Sequence, residues 1–212
     1  VSFSILSIDR WIFGIFAHAT HFVVLAAMAG LLLLLRAIEN DRRPWFFWSG
    51  VLLGVSVLMK QHGIFFLPLG AALVVWNGSP GAGRVTAANV RKIGMMALGA
   101  VLPLALVIVV LLAQGALGQF WFWTFHYARA YVSEVSLSKA FPNFVEGLRV
   151  VTPVNLAFWV MGGLGLAALW IARWEPRVRI FVTGLLVASI LATCPGFYFR
   201  EHYFILLLPV VA

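Results

Sequence analysis

The sequence predicts an all-α fold: a polytopic bundle of transmembrane helices with about six spans plus part of a seventh. Three observations predict it. The chain of 212 residues is 63% hydrophobic and only 10% charged, against about a quarter charged in an average soluble domain. Its mean hydropathy is +1.00. Its apolar residues fall in long runs separated by short basic segments, which excludes a disordered tail or a small secreted module. The single cysteine, Cys194, excludes an internal disulfide framework and a cysteine-based zinc site. The net charge of +8 is spread over the loops, which fits membrane topology and not a nucleic-acid surface.

A spanning helix needs about 20 apolar residues at 1.5 Å each. The first candidate runs from Trp11 to Leu35, with His18, Thr20 and His21 near its start. Trp45–Met59 follows, is interrupted by Lys60-Gln61-His62, and resumes over Gly63–Trp76. Ile93–Ala113 carries Pro103, a predicted kink. Val154–Ala172, the shorter Ile180–Cys194 and the start of a last helix at Tyr203–Ala212 complete the set. As a single helix, Trp45–Trp76 would be about 48 Å long, too long for the bilayer. As a hairpin of two short helices it leaves nine basic residues inside (Arg36, Arg42, Arg43, Arg84, Arg91, Lys92, Arg173, Arg177 and Arg179). Six then lie outside: Arg10, Lys60, Arg129, Lys139, Arg149 and Arg200. A single helix evens the split and strands Lys60 in lipid, so the positive-inside rule selects the hairpin, with the N-terminus outside. The chain reads as one transmembrane domain over 1–212 with an outer segment at 114–153. It begins at Val1 and closes inside an apolar run, and is expected to be a fragment.

In this topology all five histidines fall on the outer side: His18, His21, His62, His126 and His202. Charges accompany them, Lys60 beside His62, Arg129 three residues after His126, and Arg200-Glu201 before His202. Charge at a membrane boundary is expensive unless it serves a site or finds a partner. Cations at that depth suit a phosphate or diphosphate, with lysine acting as a point charge and arginine as a two-pronged donor. The candidate phosphate-binding residues are therefore Lys60, His62, Arg129, Arg200 and His202, with His126, Tyr127 and Glu201 as further cavity residues. Other readings stay open: Lys60 as a snorkelling turn residue, Arg200-Glu201 as a local ion pair, and Phe120–Tyr127 as an aromatic belt. Glu134 and Glu146 read either as surface charges or as acid/base or metal-binding carboxylates. His18 and His21 share a face at i and i+3 but lack a third ligand, so no metal site is assigned.

Three short matches fail on context. Asn77-Gly-Ser79 fits the glycosylation pattern but lies on the predicted cytoplasmic side. Gly78–Gly83 lacks the strand, the helix and the lysine of a phosphate loop. Gly162-Gly163-Leu-Gly165 falls inside a helix and reads as packing. Gly50–Gly54 and Ala26–Gly30 have the small-xxx-small spacing of close helix contacts.

Three segments carry a family resemblance: Gly50-Val-Leu-Leu-Gly-Val-Ser-Val-Leu-Met-Lys-Gln-His-Gly-Ile-Phe-Phe-Leu-Pro68, the aromatic Phe120–Tyr131, and Arg200-Glu-His-Tyr-Phe-Ile-Leu-Leu-Leu-Pro209. Together they resemble bacterial members of glycosyltransferase family 39, the dolichyl-phosphate-mannose–protein mannosyltransferase-like family of the GT-C superfamily. The resemblance implies an integral bacterial inner-membrane enzyme with its site facing the periplasm. Its donor would be a polyprenyl-phosphate sugar, and its acceptor a glycan, lipid or protein. The family's catalytic acidic residue would precede Val1; Asp9, in Ser-Ile-Asp-Arg-Trp, does not match it. By resemblance Lys60 corresponds to a hairpin lysine near the carrier phosphate, and Arg200 and His202 to the turn that closes the same cavity. No cofactor is assigned, with a divalent cation left open. The alternatives are a transporter or lipid flippase with the same cationic cavity, and a non-catalytic scaffold.

Overall fold

A computed structural model describes residues 1–77 and 85–212, so the turn signals at 78–83 and the inner-side Arg84 lie outside the described residues. Every regular element among those residues is helical. In chain order the α-helices are α1 (Ser2–Ser7), α2 (Ala19–Asn40), α3 (Arg43–Met59), α4 (Phe66–Asn77), α5 (Ala87–Ala113), α6 (Leu117–Trp121), α7 (Ala128–Val132), α8 (Ala140–Val151), α9 (Leu156–Ile171), α10 (Pro176–Thr193) and α11 (Leu208–Val211). A π-helical stretch joins α6 to α7, and 3-10 turns cover Gln61–Phe65 and Glu201–Leu207.

Three helices are long and apolar enough to cross a membrane: α2, α5 and α10. The pair around α8 and α9, bent by 119° at Thr152–Asn155, makes a fourth if it counts as one span. This is compatible with membrane integration, and it corrects the expectation of six spans plus part of a seventh. Hydropathy along a sequence does not register where a helix breaks. α3 has 17 residues and ends at Lys60, and α9 has 16 and begins only after the bend. The run expected to start a last span is instead a 3-10 turn that passes into the short α11, with Tyr203 to Leu208 buried in the protein. Its apolar character serves the core and not a lipid face. The outer segment at 114–153 is also far from a loop, since helices and turns fill most of it.

The outward faces do suit lipid. Leu98, Val101, Leu106 and Val109 on α5, with Met161 and Leu164 on α9, are each 57–65% exposed. Contiguous apolar surface of this kind is unusual on a water-facing monomer.

The core rests on α2, α3 and α5. A Cβ on Gly50 would overlap the Met96 carbonyl, one on Gly54 the Ala100 carbonyl, and one on Gly99 the Phe47 carbonyl. Glycine at all three positions lets α3 and α5 touch backbone to backbone, as small residues do in membrane helix pairs. On the other side of α3, the Ser49 hydroxyl donates to the Gly30 carbonyl at 2.8 Å. Gly50 on α3 and Gly70 on α4 both face Met96, so the chain reverses at Lys60, as the hairpin reading requires. At the opposite end of the bundle, Lys92 Nζ pairs with Asp41 at 2.6 Å.

This contact gives a paired prediction. Gly54→Leu forces α3 away from α5 and should lower stability by about 3 kcal/mol or abolish folding. Gly163→Leu, at a position where a Cβ meets nothing within 4 Å, should leave stability almost unchanged. Thermal unfolding of both variants in detergent is the measurement, and equal midpoints for the two would contradict the contact.

Candidate functional site

The site lies at the end of the bundle where α2 begins and α3 and α10 finish. α3 stops because Lys60 is fully extended (φ −163°, ψ 141°). The chain then turns so tightly that a Cβ on Gly63 would sit 2.5 Å from the Ser56 backbone. That turn buries His62, which is 6% exposed. His62 Nδ1 lies 2.5 Å from the Ala192 carbonyl oxygen in the last turn of α10. A carbonyl only accepts, so Nδ1 carries the proton. Burial lowers His62 to about 4, with the Lys60 charge adding to the effect, so the ring is neutral at pH 7 and Nε2 keeps its lone pair. Gln61 Nε2 donates to the Thr124 carbonyl at 2.8 Å, tying the hairpin tip to the aromatic stretch.

Tyr203 is the hub. Lys60 Nζ sits 3.9 Å from the centre of its ring. His62 and His202 meet the same ring edge-on, at 4.8 and 4.7 Å. His202 in turn stacks on His18 at 4.5 Å with the rings 6° from parallel. Arg200 holds its guanidinium 5.3 Å from the Tyr198 ring and 5.7 Å from Tyr131. Those two tyrosines stack at 4.6 Å. Tyr198 donates its hydroxyl hydrogen to Glu134 Oε2 at 2.5 Å, and the Tyr131 carbonyl oxygen lies 3.2 Å away.

Backbone strain accompanies this arrangement. Phe197 and Phe199 both adopt left-handed φ values, 54° and 45°, flanking Tyr198. Each costs on the order of 1 kcal/mol, and such strain concentrates where side chains must be aimed.

The hairpin tip and the 195–203 segment lie outside the three helices long enough to span. Burial lowers the Lys60 ammonium to about 8, with the Arg200 charge adding to the effect. Burial also lowers His202 to about 4, helped by Lys60, His18, Arg200 and His62. At neutral pH Lys60 is therefore charged and His202 neutral. The hydrogen bond to Glu134 raises the Tyr198 hydroxyl to about 12, so it stays a donor. Neither Lys60 nor Arg200 has a carboxylate within ion-pair distance among the described residues. The local Arg200–Glu201 pair is not formed; Glu201 is half-buried in the same turn.

The structure thus gathers Lys60, His62, Arg200 and His202, all four singled out in the sequence. It does not bring His126 to them: that ring is exposed and stacks over Phe122 at 6.3 Å. Tyr127 is exposed against Trp123, and Arg129 is exposed without an ion pair among the described residues. His18 and His21 do not act as a pair. His18 joins His202, while His21 Nε2 is buried without a hydrogen-bond partner. Among the described residues no three histidine, cysteine or acidic side chains are placed to hold a metal. Asp9 accepts from the Trp11 backbone N–H at 2.9 Å and from Asn155 at 2.5 Å, which makes it a structural cap. Sequence reasoning missed His18, Tyr131, Tyr198 and Tyr203 as members of the cluster. The density of aromatic residues in Phe197–Tyr203 was the available signal. A cleft of about 270 Å³ between α9, α10 and α11, lined by Phe158, Met161, Gly162, Leu166, Val182 and Val211, shares no residue with this cluster. Apart from Ser2 the side chains that line it are apolar, and none of them is a histidine, lysine, arginine or acidic residue.

The buried lysine predicts a sign for pH. Between about pH 8 and 10.5 the folded chain has released the Lys60 proton while the unfolded chain keeps it. Stability from this group therefore rises with pH across that window and is lowest below it. Lys60→Met should raise the unfolding midpoint at pH 7, and its advantage over the parent should shrink by pH 10. A midpoint that falls at pH 7 on this substitution would show the ammonium to be a stabilising group.

Compared with known proteins, the chain matches no family model, no curated protein and no solved structure.

Proposed function

We propose that this protein is a membrane glycosyltransferase that moves a sugar from a polyprenyl-phosphate carrier to an acceptor on the outer face of the cytoplasmic membrane. The observation that carries the proposal is that Lys60 and Arg200 share one cluster, charged and with no carboxylate in ion-pair distance among the described residues. Two such cations together suit an anion. Their place at the mouth of an apolar bundle suits a phosphate whose hydrocarbon tail stays in lipid. The surplus of arginine at the opposite end, from Arg36 to Arg43 and from Arg173 to Arg179, supports an outward-facing site by the positive-inside rule. The resemblance in Gly50–Pro68, Phe120–Tyr131 and Arg200–Pro209 supports sugar transfer over other phosphate chemistry.

In this reading the bond between the sugar's anomeric carbon and the phosphate oxygen breaks, and the phosphate keeps the electron pair. The acceptor hydroxyl oxygen forms the new bond and gives its proton to a carboxylate. Charge grows on the leaving phosphate, where Lys60 and Arg200 stabilise it more than they stabilise the bound donor. The neutral His62 and His202 add polar atoms without raising the local positive charge. No residue of this chain is assigned as the proton acceptor.

Lys60→Ala should lower the transfer rate about 100-fold, with Lys60→Arg recovering part of it. The measurement is incorporation of labelled sugar from a polyprenyl-phosphate donor into membrane acceptors, at matched protein levels. Undiminished transfer by Lys60→Ala would refute the assignment. Movement of the lipid across liposomes with no new glycosidic bond would instead favour the transporter or flippase reading.

A further inference from the structure

We propose that Glu134, with Tyr198 and Tyr131, forms a sugar-recognition subsite next to Lys60 and Arg200, and that Glu134 accepts hydrogen bonds from hydroxyls of the sugar joined to the phosphate. The proposal rests on the phosphate reading of the two cations. Arg200 connects the two places, since its guanidinium lies against both tyrosine rings and its charge is felt at Lys60. A sugar one bond from a phosphate held there reaches the tyrosine pair.

Glu134 has no cation within ion-pair distance among the described residues, although Arg200 touches the same two rings. A carboxylate placed only to neutralise Arg200 would sit in salt-bridge reach of it. Instead it is held by the Tyr198 hydroxyl on Oε2, which leaves Oε1 open on an exposed side chain. A carboxylate fixed through one oxygen and open at the other accepts from neighbouring hydroxyls of a hexose or pentose. The stacked Tyr131 and Tyr198 offer apolar ring surface for the carbon face of the same sugar. Tyr198 is flanked by Phe197 and Phe199, both with left-handed φ.

The carboxylate also gives the subsite a direction. Its negative charge lies near a bound phosphate and opposes it, and the hydroxyls of an attached sugar offset that opposition. Glu134 thus favours the sugar-loaded carrier over the bare carrier phosphate left after transfer.

The test measures binding to the full chain in lipid nanodiscs. The probes are undecaprenyl phosphate alone and undecaprenyl phosphate bearing mannose, glucose or arabinose. The parent protein should bind at least one sugar-loaded form about tenfold more tightly than the bare carrier. Glu134→Gln and Tyr198→Phe should erase that preference by weakening the sugar-loaded form, while binding of the bare carrier holds or tightens. Equal weakening of all probes, or a preference untouched by either variant, overturns the subsite, as does a parent protein with no preference among the probes. Lys60→Ala keeps the two readings apart. If it leaves binding of the bare carrier unchanged, the phosphate reading fails and the subsite with it. If it abolishes that binding while Glu134→Gln changes nothing, only the subsite fails.

Discussion

A lysine ammonium held against the face of Tyr203, with no carboxylate to meet it, is the constraint around which the rest of the structure is arranged. Moving such a charge out of water costs several kcal/mol. The contact with an aromatic face returns about 2 kcal/mol where solvent is excluded. The difference has to come from packing elsewhere, and the glycine contacts between α3 and α5 supply a rigid frame for it. Stability alone would select a hydrophobic residue at position 60. A lysine there, next to Arg200 and not next to an acid, is the kind of local conflict that marks a binding site.

The fold delivers each group to this place by a separate route. The end of α3 brings Lys60, and the tight turn at Gly63 brings His62 under the last carbonyls of α10. The 3-10 turn after α10 carries His202 and Tyr203, and its following residues continue as buried core. Site and core are therefore parts of the same short segment. The first residues before α2 supply His18, which stacks on His202 and keeps that imidazole away from water. With His62 and His202 neutral, the positive charge in the cluster is concentrated on Lys60 and Arg200. This concentration of positive charge suits a compact anion.

The segment between α5 and α9 changes character once it is seen folded. What reads as a long outer loop is a run of short helices with exposed aromatic side chains, fastened to the hairpin tip through Gln61 and to the 195–200 loop through Tyr131, Glu134 and Asn143. It forms one wall beside the cations. Its Tyr131 and Glu134 meet Tyr198, whose ring lies against the Arg200 guanidinium.

The sequence by itself determined the helical class, the presence of helices apolar enough to cross a membrane, the reversal at Lys60 and the segregation of histidines to one end. These follow from composition, apolar run length and charge placement, which are local quantities. It also marked Lys60, His62, Arg200 and His202, because charge and imidazole beside apolar runs are rare enough to stand out. Only the tertiary structure decided which apolar runs face lipid and which fill the core. A run such as Tyr203–Leu208 has the same hydropathy in either setting, and only its neighbours distinguish them. Likewise His126 and Arg129 look as well qualified in sequence as Arg200 does. They stay apart, both exposed, whereas Tyr131, Tyr198 and His18 enter through contacts between segments far apart in the chain.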